Sequence, residues 1–130
     1  MTQVPITVYI VDDDSSVGQA LARLVQSAGM RAQVFLTAAE LIGLEQLAEP
    51  SCVIADIRMP ETSGLELPVL LARQGHRLPV IFVTSYDNDQ NRAAAKRVGA
   101  AGHFRKPVDG EALLDAIAWA VDAPGEAPHW

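Results

Sequence analysis

Residues 8–17 read Val8-Tyr9-Ile10-Val11-Asp12-Asp13-Asp14-Ser15-Ser16-Val17: an unbroken apolar run, a burst of carboxylates, and the first member of a helical stripe. An apolar run with no polar alternation suits a strand buried on both faces, and such strands belong to parallel sheets covered by helices. Beyond it, Val17, Ala20, Leu21, Leu24, Val25 and Ala28 fall at i, i+3, i+4, i+7, i+8 and i+11, one apolar face ending at Gly29. Ser16 and Gln19 have the spacing of a capping box at its start, and Asp14 competes as a cap. The stretch is one strand, one acidic loop and one helix.

The same unit recurs along the chain. Further apolar runs are Gln33-Val34-Phe35, Cys52-Val53-Ile54-Ala55, Val80-Ile81-Phe82-Val83 and Gly102-His103-Phe104. Capping-box pairs follow at Thr37 with Glu40, Ser63 with Glu66, and Asp87 with Gln90. Asp109 is the expected cap of a last helix carrying Leu113, Leu114, Ile117 and Val121. The fourth helix, near Asn88 to Val98, is the least amphipathic. Pro68 falls inside the third predicted helix, where it would remove a hydrogen bond and bend the helix. Five strand–helix units with right-handed crossovers predict an α/β chain: a three-layer, doubly wound parallel sheet. In the flavodoxin-like order 2-1-3-4-5, strand order reverses between strands one and three, and ligands bind beyond the carboxyl ends there.

Composition narrows the function. A chain of 130 residues, 49% of them apolar, is one domain with a real core. Ten Lys and Arg against 16 Asp and Glu leave a net charge of −6, which argues against direct nucleic-acid contact by this chain. A single cysteine, Cys52, points to a reducing compartment, and with only His76, His103 and His129 no Cys/His zinc cluster is available. The apolar runs are too short to cross a bilayer, and Met-Thr-Gln-Val-Pro lacks the start of a signal peptide. The reading is a cytoplasmic domain over residues 1–122, with the breaker-rich residues 123–130 as a tail or the start of a linker.

The carboxyl ends of the predicted strands carry the chemistry: Asp12, Asp13 and Asp14 after strand one, Asp56 after strand three, Thr84 and Ser85 after strand four, Lys106 and Pro107 after strand five. Singly, each reads equally as a cap, a turn residue or a solvated lysine. Together they do not. Neighbouring strands lie roughly 5 Å apart, so Asp12, Asp13 and Asp56 would crowd at the switch point and repel unless a proton or cation offsets them. Carboxylates and water suit Mg²⁺ better than zinc. With Thr84 and Lys106 at the same edge, the set describes a phosphoryl-transfer pocket.

Ile10-Val11-Asp12-Asp13-Asp14, Ala55-Asp56-Ile57-Arg58-Met59-Pro60 with Ser63-Gly64, Val83-Thr84-Ser85 and Phe104-Arg105-Lys106-Pro107 resemble, in order, the receiver domain of two-component response regulators. The wording around Arg58-Met59-Pro60 is most similar to the nitrogen-fixation subclass. The resemblance implies phosphorelay signalling rather than an enzyme: Asp56 would take a phosphoryl group from the phosphohistidine of a sensor histidine kinase. Asp13 would ligate Mg²⁺ directly and Asp12 directly or through water, with Asp56 and the backbone carbonyl of Arg58 completing the protein ligands. Thr84 would hydrogen-bond the phosphoryl oxygen and Lys106 would pair with it. The Lys106-Pro107 bond is similar to one usually cis in the family. By the same resemblance, the face of the fourth helix, fifth strand and fifth helix would switch on phosphorylation, for a homodimer, a partner or an output domain absent from this chain.

His103 departs from the family, which has Tyr or Phe there. It is either a switch side chain that turns from outward to inward, answering Thr84, or a partly exposed strand residue. Two rivals use similar chemistry or topology. Asp12-Asp13-Asp14-Ser15-Ser16 is similar to the loop of aspartate-nucleophile phosphatases of haloacid-dehalogenase type, which would make Asp12 the nucleophile. A flavodoxin would need a phosphate-receiving first loop, and three aspartates would repel the phosphate of FMN.

Overall fold

Pairing follows the apolar runs. The computed structural model describes residues 4–59 and 63–122. Along it run β1 (Thr7–Val11), α1 (Ser15–Ser27), β2 (Arg31–Phe35), α2 (Ala38–Ile42), β3 (Ser51–Ala55), a 3-10 turn (Gly64–Glu66), α3 (Leu67–Arg73), β4 (Val80–Thr84), α4 (Asp89–Arg97), β5 (Gly102–Arg105) and α5 (Gly110–Asp122). The described strands form one parallel sheet in the order β2-β1-β3-β4-β5, as expected. Residues 123–130 and Pro60 lie outside the described residues.

The side-chain period of 2 along the strands divides the core between two faces. Tyr9, Val11, Phe35, Val53, Ala55, Val80 and Phe82 point to one side, where Ala38 and Leu41 of α2, Leu67 and Leu71 of α3 and Ala95 of α4 cover them. Val8, Ile10, Cys52, Ile54, Ile81 and Val83 point to the other, under Leu21 and Val25 of α1 and Leu113 and Ile117 of α5. Strands β1, β3 and β4 are buried throughout, which is why they lack polar alternation. Burial pushes the Cys52 thiol up to about 12.

Helix ends correct several readings. Asp14, not Ser16, caps α1: its carboxylate accepts from the backbone N–H groups of Ser16 and Val17. Two residues earlier in the chain, a charged acceptor outcompetes the hydroxyl, and Ser16 donates to the same oxygen. Gly29 takes φ 84°, the left-handed conformation that ends a helix cheaply only at glycine. Thr37 caps α2 as expected, accepting from Glu40 N–H, but the Glu40 carboxylate takes the Thr37 hydroxyl rather than its backbone N–H, so half of the expected box forms. Ser63 caps the 3-10 turn through Leu65 rather than through Glu66. Asn88, not Asp87, caps α4 by accepting from Asn91 N–H, and Asp87 is used elsewhere. Asp109 accepts from Glu111 and Ala112 at the start of α5, as expected. Pro68 does not break α3. The helix starts at Leu67, so the proline occupies its first turn, where its missing N–H has no helical partner to lose.

Candidate functional site

Register brings the acidic residues together. Val11 pairs with Ala55, so Asp12 and Asp56 each leave the sheet one step beyond a paired position. Backbone bonds carry the ladder past the strand ends: Asp12 N–H donates to Phe35 O at 3.0 Å and Asp56 N–H to Val11 O at 3.1 Å. On the other flank Thr84 pairs with Arg105, and Lys106 N–H donates to Thr84 O at 3.0 Å. Four loops from four strands therefore open on one edge, as the order of strands requires.

The lysine is the hub. Lys106 Nζ donates to Asp12 Oδ2 and to Asp56 Oδ2, each at 2.8 Å. The second oxygens are engaged locally: Asp12 Oδ1 accepts from Asp14 N–H at 2.9 Å, and Asp56 Oδ1 from Arg58 N–H at 3.1 Å. Asp12 and Asp56 are buried and Asp13 exposed, with one carboxylate oxygen of each within 4.8 Å of the others. Burial holds the Asp12 carboxyl above the usual carboxylate range, against the hydrogen bonds of Lys106 and Asp14 that favour its charge. Burial also works against the Lys106 charge, but the bonds and charges of Asp12 and Asp56 outweigh it and its pKa lies above the ordinary value. Among the described contacts one cation, Lys106, bonds two of three clustered carboxylates. The deficit of positive charge, the all-oxygen donors and one exposed carboxylate fit a hard divalent cation, because each carboxylate oxygen has a second lone pair to offer.

Thr84 is fully buried, and its Oγ1 accepts from Tyr86 N–H at 3.1 Å, so its hydroxyl hydrogen is available to another acceptor. The Lys106-Pro107 bond is cis, as expected. His103 is not where either expectation put it. It pairs with Phe82, shares that residue's inward face, and its side chain has 0% exposure. The reading of a partly exposed or outward histidine is therefore corrected: the imidazole already points inward.

Three features were missed in the sequence. Gly64 passes so close to Asp56 that a Cβ there would collide with the Asp56 carbonyl oxygen, which makes glycine obligatory beneath the acidic pocket. The Arg58 guanidinium lies over the Tyr86 ring, 4.2 Å from its centre, linking the loops after β3 and β4. Asp87 takes Arg92 Nη2 at 2.7 Å and lies 3.7 Å from His103 Nδ1. The Ser63-Gly64 pair was visible as a motif, but the other two arise between loops and carry no spacing signal. Among the described residues, no helix is long and apolar enough to cross a membrane.

Residues 8–118 match the family model of the response regulator receiver domain. The response regulator protein TmoT of Ectopseudomonas mendocina is 41% identical over 115 residues, covering 88% of this chain and 52% of that protein. The transcriptional regulatory protein FixJ of Azorhizobium caulinodans is 32% identical over 112 residues, covering 86% of this chain and 53% of that protein. The chain spans about half the length of these relatives. Among solved structures, the crystal structure of FixJ-N superposes with a TM-score of 0.84 at 25% identity, covering 97% of this chain and 100% of that one. The response regulator StyR gives 0.81 at 33% identity, covering 92% and 60%.

Proposed function

The chain belongs to the receiver domains of two-component response regulators, and on that premise we propose that Asp56 is the residue that carries its phosphorelay signal. The observation that carries the assignment is the hub: Asp56 is held at the strand edge by Lys106 on one oxygen and by the Arg58 N–H on the other. A carboxylate fixed in this way is preorganised for attack. Its oxygen forms a bond to phosphorus as the P–N bond of a phosphohistidine breaks. The electron pair of that bond returns to the donor imidazole nitrogen. Lys106, released from sharing two carboxylates, pairs with the charge on the transferred group.

Asp12, Asp13 and Asp56, with the Arg58 backbone carbonyl, would hold Mg²⁺. The ion supplies charge neutralisation for the phosphoryl oxygens. Thr84 relays the event: its hydroxyl hydrogen turns to a phosphoryl oxygen while its oxygen keeps the Tyr86 N–H. The β4–α4 loop is thereby tied to the phosphorylation state, and the face of α4, β5 and α5 is the surface that reads it. The phosphodonor is a sensor histidine kinase. A homodimer, a partner, or an output region outside this chain is the receiver of the signal. The buried lone cysteine is consistent with the cytoplasm, and the chain is a signalling domain rather than an enzyme. The aspartate-phosphatase and flavodoxin readings give way to the family match.

Phosphorylation with acetyl phosphate and Mg²⁺, followed by mass spectrometry, tests the assignment. We expect one alkali-labile phosphoryl group on the wild type and none on Asp56→Asn. Equal labelling of Asp56→Asn would move the nucleophile to another carboxylate and sink the assignment.

A further inference from the structure

The Asp87–Arg92 ion pair sits at the surface directly above a buried imidazole. Asp87 Oδ1 is the atom that accepts from Arg92 at 2.7 Å, and the same atom lies 3.7 Å from His103 Nδ1. The Arg92 side chain is 42% exposed and that of Asp87 19%, while that of His103 is wholly enclosed. The loop bearing Asp87 is bound into the first turn of α4: Asn91 Nδ2 donates to Tyr86 O, Asn91 N–H to Asn88 Oδ1, and Arg92 to Asp87. Loop and helix start are therefore tied together by three hydrogen bonds. From strand β5, His103 meets that unit at Asp87.

We propose that His103, Asp87 and Arg92 form a proton-operated latch, in which a proton on the imidazole releases His103 from its pocket and loosens the β4–α4 loop and α4 from β5. The charged groups acting on the ring are Asp87 from the loop and Arg92 from α4. From β4 its cross-strand neighbour is the neutral Phe82, and α5 packs on the opposite face of the sheet. Burial, and then the Arg92 charge, hold the His103 pKa below its ordinary value, with Asp87 opposing them. An imidazole released to water recovers a pKa of about 6.5. Protons therefore bind the released state more tightly than the enclosed one, and acid shifts the population toward release. The latch needs no phosphoryl group, so it stands or falls apart from the role of Asp56.

The test is a titration of the unphosphorylated 130-residue chain by imidazole and amide NMR, from about pH 8 to about pH 5, the range in which histidine charge changes. We expect His103 to titrate below the ordinary histidine value, with amides from Tyr86 to Arg97 and at Phe104 following the same midpoint. Arg92→Gln should raise that midpoint and Asp87→Asn should lower it, each by on the order of half a pH unit. Three outcomes overturn the latch: one midpoint common to all three proteins, an imidazole that titrates while the α4 amides stay fixed, or no titration of His103 across the range.

Discussion

Replacing Lys106 with methionine removes the only cation that touches Asp12 and Asp56 among the described contacts. The stem of the side chain is kept and the charge lost. The two carboxylates are 3% and 9% exposed. At a separation of 4.8 Å or less, two unit charges repel by about 3.5 kcal/mol at an effective dielectric constant of about 20. We expect Lys106→Met to cost about 3 kcal/mol at neutral pH without divalent cations, the size seen when one partner of a buried pair is removed. With a urea m-value of about 2 kcal/mol/M, the unfolding midpoint should fall by about 1.5 M. The sign with pH follows from Asp12, whose folded pKa is raised. Its contribution is favourable below the unfolded carboxylate value and is lost as pH rises through the folded one. Without Lys106 that folded value rises further, so the deficit of the variant should shrink from about pH 7.5 to about pH 4.5 as Asp12 takes up a proton. Asp56→Asn added to Lys106→Met should restore most of the loss. A deficit under about 1 kcal/mol, or one that is the same at both pH values, would refute the claim that charge crowding governs this pocket.

Two further outcomes follow from the same geometry. Mg²⁺ at ten times its dissociation constant should stabilise the wild type by about 1.4 kcal/mol, a rise in Tm of about 4 °C, and Asp13→Asn should lose most of that rise; an unchanged Tm in the wild type would remove the metal from the site. Gly64→Ala should destabilise the fold by about 2 kcal/mol or more and slow phosphorylation of Asp56, because the added Cβ meets the Asp56 carbonyl; wild-type stability and labelling rate in this variant would contradict the close packing.

The sheet was legible because its three central strands are buried on both faces and so carry apolar runs, rich in β-branched residues, with no polar alternation. From their order alone, Asp12, Asp13, Asp56, Thr84 and Lys106 could be sent to one edge. What spacing could not convey is contact between loops. Lys106 is 94 residues from Asp12, and only the folded register shows that one ammonium bridges both acids. His103 was misread because the turn of a short edge strand depends on its partner, and Phe82 sets the inward side. Helix caps stayed open or went astray where two candidate acceptors stood within two residues of each other, as at Asp14 with Ser16 and Asp87 with Asn88. The pattern names the candidates, and geometry chooses between them.

Cys52 has a practical consequence. A thiol sealed in β3 with a pKa of about 12 presents almost no thiolate at neutral pH, and thiolate is the species that reacts with maleimides. The native chain is in effect a cysteine-free background for surface chemistry. A spin label or fluorophore on a cysteine introduced along α4 would report on that face selectively, with the natural thiol left in place and the core unaltered.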